Sequence, residues 1–146
     1  MARLEQIAMR LEVKEGKNGC VLINDSYNSD LASLDIALDF MSRRSDDKGK
    51  KRTLILSDML ETGQSSKLLY RQVAELVHSR GVEKIIGVGE EIRTAAARFE
   101  IEKYFFRTTE ELLESDLLAG LRNEVILVKG SRAFHFDRIS DRLELK

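Results

Sequence analysis

The sequence predicts an α/β fold: a single Rossmann-like domain with a mainly parallel, twisted sheet of about six strands and helices on both faces. Three observations lead there. Apolar runs of strand length recur along the chain, four of them are almost continuously apolar, and stretches with helical spacing lie between them. Continuous apolar runs suit strands covered on both faces. Alternation of strand with helix is the order that builds a parallel sheet.

Strands are expected at "MRLEV" (9–13), "CVLIN" (20–24), "TLILS" (53–57), "KIIGVG" (84–89), "KYFFR" (103–107) and "VILVK" (125–129). In the first, Met9, Leu11 and Val13 alternate toward the core, and Arg10 between them has the ordinary reading of a solvent-facing residue on an edge strand as one alternative. Leu31, Leu34, Ile36, Ala37, Leu38 and Met41 mark a helix face behind a cap at Ser29 or Asp30. Leu68, Leu69, Val73, Leu76 and Val77 repeat that spacing, with Gly81 as the stop. "EEIRTAAARF" and "TTEELLESDLLAGL" are shorter helices, the second capped by Thr108 or Thr109. A last helix is expected from Ser131, carrying Ala133, Phe134 and Ile139.

Composition narrows the function. The 146 residues form one domain, 1–146, without a proline to mark a linker. Charged residues make up 34% yet balance to a net −1, so no basic footprint for nucleic acid or an anionic membrane exists. No apolar run approaches the roughly 20 residues that span a bilayer. One cysteine cannot form an internal disulfide; Cys20 is expected to pack as a small hydrophobe in a protein of the reducing cytoplasm. Neither a G-x-x-x-x-G-K-[ST] phosphate loop nor a G-x-G-x-x-G fingerprint occurs. "RRSDDKGKKR" (43–52) reads as a solvated loop and "GVGEE" (87–91) as a structural turn. His78 and His135 lack partners at metal-ligand spacing, so no metal site is expected; they read as a surface helix position and a cap-region residue.

Ligands of such sheets sit beyond the carboxyl ends of the strands. Three strand ends carry chemistry there: "INDSYNSD", "LSDMLETG" and "VKGSRAF", which place Asp25, Asp58 and Lys129 just past oily runs. Asp and Asn are also ordinary turn formers and caps, so each alone has a structural reading; their convergence on one edge favours a site. In "VKGSRAF", Gly130 permits a tight turn, Ser131 caps a helix, and Lys129 and Arg132 add positive charge suited to a carboxylate or phosphoryl group. Alternatively, Arg132 pairs with a surface acid.

Taken in order, "MRLE", "INDSYN", "ALDF", "SDMLETG" and "LVKGSRAF" resemble the C-terminal domain of the Mur ligases. The family patterns read M-R-[LM]-E, D-S-Y-N-A-N-P-D-S-M, G-D-M-L-E-L-G and V-K-G-S-R, and the likeness spans residues 9 to about 139. Within the family it is greatest to the member that joins D-Ala-D-Ala to UDP-N-acetylmuramoyl-tripeptide. Departures are Asp30-Leu31 for Asn-Pro, Thr62 for leucine and Ser57 for glycine. The D-S-Y-N-S-D variant is most similar to forms fused ahead of an alanine racemase, which would bring pyridoxal phosphate only if that domain follows.

The resemblance implies an ATP-dependent ligase in cell-wall precursor synthesis. ATP activates the tripeptide carboxylate as an acyl phosphate, and the D-Ala-D-Ala amine displaces phosphate. It places Asp25 against the ATP ribose, Arg10 at the nucleotide, and Tyr27 and Asn28 over the adenine side. Asp58, Lys129, Ser131 and Arg132 fall toward the amine substrate. ATP and Mg2+ would be held mainly by the family's central domain, this domain's partner, so residues 1–146 alone should catalyse nothing.

A rival reading is a phospho-receiver, with Asp58 phosphorylated beside Asp25 and Lys129. Against it, Asn24 rather than an acid precedes Asp25, and Gly130 rather than proline follows Lys129.

Overall fold

A computed structural model describes residues 11–25, 30–44, 49–59 and 65–145, with the backbone but not the side chain of Arg132. Six strands, β1 (Glu12–Glu15), β2 (Val21–Asn24), β3 (Lys51–Ser57), β4 (Lys84–Val88), β5 (Glu102–Phe106) and β6 (Glu124–Lys129), form one sheet. Its order is β1-β2-β6-β3-β4-β5. β1 runs antiparallel to β2, and the other four pairings are parallel.

The parallel strands alternate their apolar residues between two cores. Ile23, Leu54, Leu56, Ile85, Val125 and Leu127 face one helical layer. There lie α1 (Leu31–Ser42), α2 (Ser66–Ser79) and α3 (Glu90–Thr94). Leu22, Ile55, Ile86, Ile126 and Val128 face the other, with α4 (Thr109–Glu114) and α5 (Asp137–Leu143). The expected layering is therefore present, for the expected reason: both faces of β6, β3 and β4 are covered.

Local chemistry sets the helix ends. Asp30, not Ser29, caps α1, its carboxylate accepting from Ser33 N at 2.7 Å. Thr108 caps α4 in the same way, and Gly81, at φ +75°, follows α2. Ile36 and Leu68, expected on buried faces, lie at the margin and are exposed.

Two expectations need correction. Val13 is 42% exposed, because β1 is an edge strand and no helix among the described residues is laid over that position. The last helix does not begin at Ser131. A 3₁₀ turn occupies Arg132–Phe134, His135 takes φ +53°, and α5 starts only at Asp137. A left-handed residue ends the first turn before an α-helix can propagate.

At the amino edge of the sheet, Lys84 donates to Glu124 Oε2 at 3.0 Å, with side chains 7% and 8% exposed. Thr53 Oγ1 donates to the other oxygen of Glu124. No helix among the described residues is long and apolar enough to cross a membrane.

Candidate functional site

β2, β6, β3 and β4 are neighbours, so their carboxyl ends form one rim. β2 runs out at Asp25, whose amide still donates to Val128 O at 2.9 Å. That continuation of the ladder brings Asp25 beside Lys129, and Lys129 Nζ donates to Asp25 Oδ2 at 3.0 Å. The lysine side chain is wholly buried and the aspartate's is 8% exposed. The charge expected to greet a ligand is thus spent inside the protein. A buried ammonium is tolerated only beside a counter-charge, and β2 supplies one.

Gly130 and Ser131 also differ from expectation. Gly130 is not left-handed; its role is steric. A Cβ there would lie 2.5–2.8 Å from three ring atoms of Phe136. Ser131 does not cap a helix with its side chain. Its carbonyl accepts from Phe134 N at 3.1 Å and its amide donates to Ser57 Oγ at 3.0 Å. Its own hydroxyl is buried without a partner among the described residues.

Asp58 stands half-buried at the end of β3 and grips α3 from outside. Ile92 N donates to its Oδ1 at 2.8 Å and Glu91 N to its Oδ2 at 3.3 Å. Burial pushes the Asp58 carboxyl above its ordinary value, while the two amide bonds pull it down. The approach needs Gly89, at φ +132°, where a Cβ would sit 2.3 Å from the carboxylate. One residue on, Met59 N donates to the Tyr70 hydroxyl at 2.9 Å. Tyr70 is buried, which holds its phenol above the usual range and neutral.

The structure therefore brings Asp25, Lys129, Ser131 and Asp58 onto one rim. Arg10, Tyr27 and Asn28 lie outside the described residues, and for Arg132 only the turn is described. Sequence reasoning missed Ser57 and Tyr70. Ser57 stands out in the sequence only as a departure from the family's glycine, and Tyr70 sits among the apolar positions of α2, so neither is marked as holding a rim turn. A cavity of about 570 Å³ also opens between α1 and α2, lined by Asp30, Asp35 and Gln72 among apolar walls. Asp30 is occupied as a cap and Asp35 by Arg80 at 2.6 Å, while Gln72 Oε1 is buried without a partner among the described residues. Among the described residues no group of three or more His, Cys, Asp or Glu could hold a metal ion.

Residues 9–132 of the chain match the family model for the Mur ligase, glutamate ligase domain. The chain belongs to the Mur ligase family, and the phospho-receiver alternative falls with that assignment. Among its relatives is the UDP-N-acetylmuramoyl-tripeptide--D-alanyl-D-alanine ligase of Escherichia coli, 25% identical over 99% of this chain and 31% of that protein. The same ligase of Rickettsia prowazekii is 32% identical over 82% of the chain and 26% of its own length. The chain thus spans about a third or less of the curated relatives it matches. In fold it is similar to the MurF ligase of Thermotoga maritima, whose crystal structure is a complex with ADP. That likeness has a TM-score of 0.69 at 20% identity, covering 91% of this chain and 30% of that one.

Proposed function

We propose that residues 1–146 are the C-terminal domain of the ATP-dependent ligase that adds D-Ala-D-Ala to UDP-N-acetylmuramoyl-tripeptide. The observation that carries this reading is the family match over residues 9–132. Ligases of that name among the relatives, one of them matched over 99% of this chain, support the substrate assignment. In this reading the domain closes over a nucleotide and tripeptide held by a central domain, excludes water from the acyl phosphate and orients the attacking amine.

Asp25 offers its second carboxylate oxygen to the ribose, with Lys129 fixing its position from behind. Arg10, Tyr27 and Asn28 complete the nucleotide side. Asp58, Ser131 and Arg132 belong to the amine-substrate side, where Arg132 can hold the dipeptide carboxylate with its planar fork. Mg2+ is assigned to the central domain, and the cytoplasm is the compartment. Pyridoxal phosphate enters the proposal only if an alanine racemase domain follows.

The test is ADP release dependent on both UDP-N-acetylmuramoyl-tripeptide and D-Ala-D-Ala. A complete ligase carrying this chain as its third domain should show it, and the 146-residue chain alone should not. Calorimetry should find no ATP binding in the micromolar range by the chain alone. Such binding, or a complete ligase indifferent to D-Ala-D-Ala, would overturn the reading.

A further inference from the structure

The hydroxyl of Ser57 stands where the backbone ladder between β3 and β6 gives out. The last register pair is Leu56 with Lys129. Beyond it the amide of Ser131 is received by Ser57 Oγ at 3.0 Å. The same hydroxyl donates to the Asp58 carbonyl at 2.9 Å. A serine hydroxyl has one proton and two lone pairs. With its proton engaged on Asp58, the oxygen is an acceptor turned to Ser131. Ser57 is fully buried, so bulk water does not compete for either bond.

The clasp joins two turns that otherwise belong to different strands. One carries Asp58, which holds the start of α3; the other carries Ser131, 6% exposed, whose hydroxyl has no partner among the described residues. A buried hydroxyl without a partner is unfavourable, and an arriving oxygen acceptor would relieve it. We propose that Ser57 is a positioning residue for the amine substrate, holding the Ser131 hydroxyl in place to donate to a carboxylate oxygen of the incoming dipeptide. The inference rests on the proposed function for the identity of that ligand.

In a complete ligase carrying this chain, Ser57→Ala should raise the KM for D-Ala-D-Ala about tenfold, the effect of losing one buried hydrogen bond. The KM for ATP should stay within about twofold, and Ser57→Thr, which keeps the hydroxyl, should restore most of the loss. In the 146-residue chain, the Ser131 amide should exchange with solvent faster in Ser57→Ala than its neighbours do. Equal rises in both KM values overturn the inference, as does a fall in Tm with the dipeptide KM unchanged. Ser131→Ala, assayed alongside, separates the two levels of failure. If it raises the dipeptide KM and Ser57→Ala does not, the Ser57 inference alone fails. If neither variant moves that KM, the assignment of this rim to the dipeptide fails with it.

Discussion

Lys129 and Asp25, 104 residues apart in sequence, form a buried ion pair 3.0 Å long at the centre of the rim. Removing Lys129 strands the Asp25 carboxylate. Lys129→Met should therefore destabilise the chain by about 3–5 kcal/mol, whereas joining it with Asp25→Leu should recover much of that loss. Urea unfolding of the two single variants and the double variant decides the matter. A single-variant cost below about 1 kcal/mol would show that water reaches the pair.

Two glycines of the rim admit no side chain. Gly130→Ala drives a methyl into the ring of Phe136, itself 1% exposed, and should cost about 1–3 kcal/mol as overpacking. Phe136→Leu in the same chain should return part of it. Gly89→Ala should cost more, because strain at φ +132° adds to a clash with Asp58. Equal and small losses in thermal unfolding would mean that both turns yield easily.

Asp58 gives a pH signature. Its folded-state carboxyl is raised, chiefly by burial, above the ordinary 3.8. The folded chain thus holds that proton more tightly than the unfolded chain does. The stability so gained is complete below the ordinary value and lost as pH rises through the raised one. Asp58→Asn removes that loss. The stability of the variant relative to wild type should therefore improve across this window, measured by urea midpoints. A trend of the opposite sign would mean that the amides of Glu91 and Ile92 outweigh burial.

Tyr70→Phe keeps the ring and deletes the acceptor of the Met59 amide. The orphaned donor should cost about 1–3 kcal/mol. Amide exchange at Met59 should quicken in step. If stability is unchanged, another acceptor replaces the phenol.

Much of this architecture was legible in the sequence. The runs "TLILS" and "VILVK" announced central strands because only doubly covered strands tolerate such continuous apolarity. Asp30 and Thr108 announced helix starts through their own side chains. What stayed hidden depended on contacts between distant segments. Nothing local says that Lys129 turns inward, since the reason is an aspartate on another strand. Gly130 looked like a conformational glycine, but the cause is the Phe136 ring. Val13 alternated correctly and still faces solvent, because alternation does not say whether a helix covers that face. The rim residues were found as a group, while their partners were not.

The Lys84–Glu124 pair has a consequence for how the sheet assembles. If β6 slid by two residues along β3, the pleat would repeat, and Val125, Leu127, Ile126 and Val128 would still point into their respective cores. Hydrophobic burial alone barely distinguishes that arrangement from the native one. The slide would, however, carry Glu124 about 7 Å from Lys84, and it would part Lys129 from Asp25 at the other end of the same strand. Two charged clasps, one at each end of β6, thus act as proofreaders of strand alignment, rejecting mispaired sheets that the oily middle of the strand would accept.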